Sequence, residues 1–216
     1  MEKKASEKLN NFFSNFKKLF FKKGVTILRP DDQAHSIFYL KKGYTRLYSI
    51  SKDAQELTFI IYKPGDFFPL IPVINDVPVS YYMEAMTPLE LYQAPVGEFR
   101  NFIKENSSVL YELLARILTR LEGVFTRMEY AIFGNAQNKV AAIILICAER
   151  FGEVEKKGIL IQVPLTHQDI ANLLGVARET VSIEMKKLQK MNLIDYQGKH
   201  LVIKNIQKLK DKSVLS

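Results

Sequence analysis

The side chains best suited to recognition chemistry fall in one short stretch. Arg178, Glu179, Thr180 and Ser182 stand at the start of a predicted helix. An arginine fork matches the O6 and N7 acceptors of guanine, and a carboxylate accepts from the N4 amine of cytosine. Both edges face the major groove of a duplex, which is wide enough to admit a helix end-on. The residues just before them supply the scaffold such a helix needs. Thr166 precedes Asp169 by three positions, the spacing of a capping box. Ala171 is small where two helices would cross closely, and Gly175 suits a left-handed turn. Val181 offers an apolar contact back to the first helix. Thr166 to Ser182 therefore reads as helix, tight turn, second helix.

Charge agrees with a polyanionic partner. The 216 residues carry a formal net charge of +8. From Gly134 onward there are 13 Lys and Arg against 8 Asp and Glu, and the longer stretch before it has 18 against 15. Basic excess is thus denser around the two helices. The single cysteine, Cys147, lies in an apolar helical run and is expected as a small core residue in a reduced, cytoplasmic setting. No apolar run approaches the roughly 18 residues of a membrane span, so no membrane is expected as partner.

The elements that must position this stretch follow from periodicity. Residues 6–20 read as an amphipathic helix, with Leu9, Phe12, Phe13, Phe16, Leu19 and Phe20 on one stripe, docked on the next domain. Residues 22–98 alternate short β-rich runs with turn signals such as Lys42-Gly43, Pro64-Gly65-Asp66 and Asn75-Asp76, the spacing of a β-roll or barrel. Strands are expected at 26–28, 36–40, 45–50, 56–62, 80–85 and 90–95. From about Val96 the pattern is helical. Leu110, Leu114, Ile117, Leu121, Val124, Met128 and Ala131 recur at alternating spacings of four and three, a heptad seam suited to a second copy of the chain. Leu113, Leu118, Phe125 and Ile132 form a second flank, expected to dock on the roll. Gly134-Asn135 marks a boundary, a helix follows over 136–151, and 152–158 reads as a polar loop before a strand at 159–163. Beyond the second helix, 193–196 and 200–203 flank Gln197-Gly198-Lys199 as a β-hairpin wing.

With these parts placed, the chain resembles the catabolite activator / fumarate-nitrate regulator family of bacterial transcription factors over nearly its whole length. The motif that carries the resemblance is Leu165-Thr166-His167-Gln168-Asp169-Ile170-Ala171 through Gly175, then Ala177-Arg178-Glu179-Thr180-Val181-Ser182. Leu193 to Lys199 resembles the family wing, and Gly43 and Pro64-Gly65-Asp66-Phe67 its recurrent turns. The resemblance implies an α+β fold: an N-terminal helix and cyclic-nucleotide-binding-like β-roll over 1–105, a long dimerisation helix over 106–133, and a winged helix-turn-helix over 134–216. It implies that Arg178 and Glu179 touch base edges, and that Thr166, His167, Gln168, Ser182 and Lys199 help hold phosphates. The partners it implies are a near-palindromic double-stranded operator, a second copy of the chain, RNA polymerase and a small-molecule effector. The chain also departs from the family. Ile183 replaces an arginine that reads guanine in many members, leaving the half-site either less constrained there or with a thymine methyl contact. Glu184 replaces a core aliphatic residue, and Ala177 replaces a Ser or Thr cap.

In the roll, the departures bear on the ligand. Family rolls that hold a cyclic nucleotide need a glutamate near the start of the phosphate segment and an arginine near its end, because a buried phosphate requires a cation. Leu70 and Val79 stand at those places, and Pro69 and Pro72 lack backbone N–H groups. Cyclic AMP and cyclic GMP are therefore not expected as ligands. Tyr39, Phe59, Phe67, Phe68, Leu70, Val79, Ser80 and Tyr81 are either plain core or the lining of an apolar effector pocket. No metal or cofactor is expected. One cysteine is too few for an iron–sulfur cluster, and His35 is the sole candidate for a haem ligand in the roll, the basis of an alternative reading as a haem-based gas sensor. A cupin-like metalloenzyme would need clustered ligands, yet His35, His167 and His200 are the only histidines and two belong to the winged helix. An enzyme is not expected; an adaptor whose winged helix contacts proteins is the other alternative.

Overall fold

The computed structural model describes residues 2–213, which form two compact units. One holds the chain up to Ser49 together with Phe59–Arg120; the other holds Ile50–Thr58 together with the chain from Leu121.

The first unit is a roll of two four-stranded sheets with helices at its N- and C-terminal ends. Its strands are β1 (Lys17–Phe21), β2 (Thr26–Leu28), β3 (Ser36–Lys42), β4 (Thr45–Ile50), β5 (Glu56–Tyr62), β6 (Phe67–Phe68), β7 (Tyr82–Ala85) and β8 (Leu89–Pro95), with Ile50 of β4 and Glu56–Thr58 of β5 counted in the second unit. One sheet runs β1-β8-β3-β6 and the other β2-β7-β4-β5. The helices are α1 (Glu2–Ser14), α2 (Leu70–Asn75), α3 (Val96–Glu105) and the start of α4 (Ser107–Phe133). Strand β3 shows how the pleat sorts side chains. Phe38 and Leu40 join Tyr62, Phe68, Met83 and Leu91 from both sheets, while Ile37 and Tyr39 join Leu9, Phe13, Phe99, Ile103, Val109 and Leu113 beneath the helices.

Three expectations are corrected in this unit. The N-terminal helix ends at Ser14 rather than running to residue 20. Asn15 caps it, its amide donating to the carbonyls of Asn11 and Phe12. Leu19 and Phe20 then lie in β1, whose backbone pairs with β8 from Lys17↔Gln93 to Phe21↔Leu89. The short helix α2 and strand β6 were not anticipated. Finally, the second flank of α4 does not dock as a whole. Leu113 is buried, but Leu118, Phe125 and Ile132 are exposed. At about 100° per residue, Leu113, Arg116 and Arg120 stay within about 40° of Val109, whereas Leu118 points about 180° away. The docked face is thus Val109, Leu113, Arg116 and Arg120. Arg116 Nη1 donates to the Gly65 carbonyl at 3.1 Å, and Arg120 Nη2 to Asp66 Oδ1 at 2.7 Å. The remaining apolar side chains, Leu110, Leu114, Ile117, Leu121 and Met128, face outward and are exposed, with Val124 half-buried. The side chain of Ala131 lies outside the described residues.

The second unit contains α5 (Ala136–Phe151), β9 (Gly152–Glu155), β10 (Gly158–Ile161), α6 (His167–Leu174), α7 (Arg178–Lys190), β11 (Ile194–Gln197), β12 (His200–Ile203) and α8 (Ile206–Lys210). Its sheet runs β11-β12-β10-β9. The expected polar loop 152–158 is instead a hairpin: Gly152 to Glu155 pair with Ile161 to Gly158. Gly158, at φ 132°, sits so close to the Ile203 carbonyl that a Cβ would strike it, which closes the sheet tightly. Apolar faces of α5, α6 and α7 meet below, with Val140, Ile144, Ile170, Val181, Met185 and Leu188 buried. Among the described residues no helix is long and apolar enough to cross a membrane.

Candidate nucleic-acid interface

The helix-turn-helix geometry rests on short-range chemistry. Asp169 N–H donates to Thr166 Oγ1 at 3.1 Å, and the Thr166 N–H donates to Asp169 Oδ2 at 2.8 Å, closing a reciprocal cap at the start of α6. Gly175 takes φ 65° and ψ 37° at the end of α6 and turns the chain. Ala171 and Val181 are fully buried, which lets the two helices approach. Helix α7 therefore turns Val181, Met185 and Leu188 inward and leaves Arg178, Glu179, Ile183 and Lys186 exposed, with Thr180 and Ser182 half-buried. Its N-cap, Ala177, is extended and makes no side-chain cap bond.

A small network supports the exposed face. His167 Nδ1 lies 2.9 Å from Ser182 Oγ, and its Nε2 lies 3.2 Å from the Tyr196 hydroxyl. One ring nitrogen donates and the other accepts, and either hydroxyl can complement it. The imidazole thus ties α6 to α7 and to wing strand β11. Burial, then the positive charges of Arg178 and Lys186, hold the His167 pKa below its usual value. Burial also raises the pKa of Tyr196. Thr166 and Lys199 are exposed, the latter at the wing tip beside Gly198. Gln168 is exposed too, but its Nε2 donates to Asn172 Oδ1 at 2.7 Å, and Asn172 Nδ2 donates to Glu56 Oε2 at 2.9 Å. One of its N–H groups is therefore engaged within the protomer.

Two residues of this face were not singled out from sequence. Lys186 continues the spacing of four from Arg178 through Ser182, a signal that was available. Tyr196 is brought in by the fold of the wing, and nothing local announces it. Glu184 faces inward with 6% of its surface exposed; Oε1 pairs with Lys187 Nζ at 2.8 Å, and Oε2 has no hydrogen-bond partner among the described residues.

The aromatic residues of the roll are divided among several places. Tyr39 stacks on Phe13 at 5.0 Å and, with Phe67, is buried in the cluster beneath the helices. Phe68 is buried in the cluster joining the two sheets. Phe59 meets Tyr81 edge-on at 5.1 Å. Val79 is buried, Leu70 is half-buried and Ser80 is exposed. A buried cation does exist in this unit: Arg46 lies 3.3 Å from Glu84 Oε2 and over the Tyr48 ring at 4.2 Å. The Cys147 thiol is buried and its pKa is pushed up to about 12, so it is protonated at neutral pH. His35 is exposed.

Comparison with known proteins agrees with this architecture. The Crp-like helix-turn-helix domain matches residues 138–212, and the cyclic nucleotide-binding domain matches residues 18–106. A global nitrogen regulator from Nostoc sp. is 25% identical over 185 residues, 85% of this chain and 83% of its own. The cAMP-activated global transcriptional regulator CRP of Pasteurella multocida is 26% identical over 179 residues, 82% and 85% of the two chains. Among solved structures, FixK2 from Bradyrhizobium japonicum superposes with a TM-score of 0.80 at 20% identity, over 93% of this chain and 98% of that one. The chain belongs to the CRP/FNR family of transcription regulators, with a DNA-binding helix-turn-helix and an effector-type roll.

Proposed function

We propose that this protein is a cytoplasmic, homodimeric regulator that reads a specific DNA sequence and answers to a signal other than a cyclic nucleotide. The observation that carries the reading is the exposed face of α7, where Arg178 and Glu179 at the helix start and Lys186 two turns on are open to solvent beside the His167–Ser182–Tyr196 network. Arg178 and Glu179 contact base edges, and Thr166, His167, Gln168, Ser182 and Lys199 contact phosphates. Two copies pair through Leu110, Leu114, Ile117, Leu121, Val124 and Met128, an apolar stripe that a lone protomer leaves largely in water. Paired recognition helices then meet half-sites about one helical turn apart. The activity is binding rather than catalysis.

The roll is the input. Relatives include cAMP-activated regulators, but Leu70 and Val79 give this roll no carboxylate or cation where a cyclic phosphate would sit. Tyr39, Phe67, Phe68 and Val79 are core, so of the side chains weighed as a pocket lining only Phe59, Leu70, Ser80 and Tyr81 are open to a different effector. Its signal reaches α4 through Arg116 and Arg120, which grip the turn before β6, and shifts the population between two arrangements of the dimer. Selection of bound sequences from a random DNA pool, with and without cell extract, tests the proposal. A near-palindrome should emerge, with binding that weakens steeply as salt rises. No enriched sequence under either condition contradicts it. Low-micromolar binding of cyclic AMP or cyclic GMP in calorimetry would contradict the assignment of the roll.

A further inference from the structure

Ile183 is 54% exposed, and its exposure lies on the face of α7 that the proposed function turns toward DNA. An exposed isoleucine means little by itself, since much of any protein surface is apolar. Its direction is what distinguishes it. The buried arc of α7 is defined by Val181, Glu184, Met185 and Leu188. At about 100° per residue, Ile183 points about 150° from the centre of that arc, almost straight out. Glu179 precedes it by one turn, and Lys186 and Lys190 follow it on the same side, all exposed. Ile183 is thus the one apolar side chain on the outward face of this helix, set between charged neighbours.

A major groove offers such a side chain one complementary group. Base edges there present nitrogen and oxygen donors and acceptors, and the C5-methyl of thymine is the apolar exception. Isoleucine has no donor or acceptor with which to read the other edges. It lies four residues beyond Glu179, about 6 Å along the helix axis, more than one base-pair step of about 3.4 Å. With the helix laid along the groove, it addresses a base pair other than the one Glu179 meets. We infer that Ile183 is a specificity-determining residue that selects a thymine in each half-site by packing on its 5-methyl group. This rests on the DNA-reading function proposed above and adds to it the identity of one base.

The test uses the full-length protein and the operator obtained from the random pool. Each thymine of one half-site is replaced in turn by deoxyuridine, which removes the methyl and keeps every hydrogen-bonding group. At one position the wild type should lose about three- to fivefold in affinity, the value of one apolar carbon taken out of water. Ile183→Ala should bind the thymine operator more weakly and should be indifferent to deoxyuridine at that position. Ile183→Arg should shift selection there toward guanine. Because Ile183 is exposed, unchanged melting temperatures are expected and confirm that both variants fold. If no thymine methyl matters to the wild type, or if Ile183→Ala loses as much as the wild type, the inference is overturned while the DNA-reading function stands. If the pool returns no operator, both fall together.

Discussion

His167 holds the recognition surface together at the scale of one side chain, and it does so as a neutral ring. Burial and the nearby Arg178 and Lys186 charges place its folded-state pKa below the ordinary 6.5. As pH falls, the unfolded chain therefore takes up the proton first. The stability the neutral ring contributes is complete above about pH 6.5 and is lost as pH falls through the lower folded-state value. Urea midpoints of the wild type should decline more steeply between about pH 7 and pH 5 than those of His167→Gln; parallel declines would count against the network. Glu184 is the opposite case. Among the described residues its Oε2 is buried without a hydrogen-bond partner, and Lys187, which pairs with Oε1, is half-exposed. Glu184→Leu should raise stability by about 1–2 kcal/mol, since an apolar side chain of similar size removes a desolvated oxygen. A lower urea midpoint would show that the carboxylate has a structural role that these contacts do not reveal.

At the scale of elements, caps decide where α6 and α7 begin, and the two differ. Thr166→Ala should cost about 1 kcal/mol by deleting a cap bond that Asp169 N–H now makes. Ala177 is extended at φ −66° and ψ 143° without a side-chain acceptor, so Ala177→Ser should add about 0.5–1 kcal/mol. Thermal melts of both variants check the pair, and an Ala177→Ser protein no more stable than wild type would mean that the α7 amides are already satisfied. These elements were legible in the sequence because their signals are local: a capping box, a small residue, a glycine at the turn and a buried valine. Most strands of the roll were legible for the same reason. What escaped was set by distant partners. Leu19 and Phe20 fit a helical stripe equally well, and only pairing with β8 makes them a strand. Gly152 to Glu155 read as polar loop because their ladder partner lies across a turn, and Phe67-Phe68 is a strand only because β3 is beside it. On the candidate surface, the place of Arg178, Glu179 and Ser182 near the start of α7 was readable, whereas Tyr196 reaches His167 through the folded wing alone.

At the scale of the whole molecule, the proposal needs two copies. The outward stripe of α4 runs from Leu110 to Met128, and its apolar side chains are from two-fifths to more than half exposed, apart from Val124. Placing charge there should separate the copies without disturbing the roll, because the docked face uses Val109, Leu113, Arg116 and Arg120 instead. Leu114→Lys with Leu121→Lys should sediment as a monomer and lose operator binding by at least 100-fold, about 2.7 kcal/mol, while keeping its helical circular dichroism. A dimer that survived both changes would place the pairing surface elsewhere. The most direct test of the central claim is a footprint of the wild type and Arg178→Ala on the selected operator. Two protected half-sites about one helical turn apart are predicted, with Arg178→Ala binding more weakly by about 1–3 kcal/mol and tolerating change at one base in each half-site. A single protected half-site, or an Arg178→Ala footprint equal to the wild type in strength and sequence preference, would contradict the account.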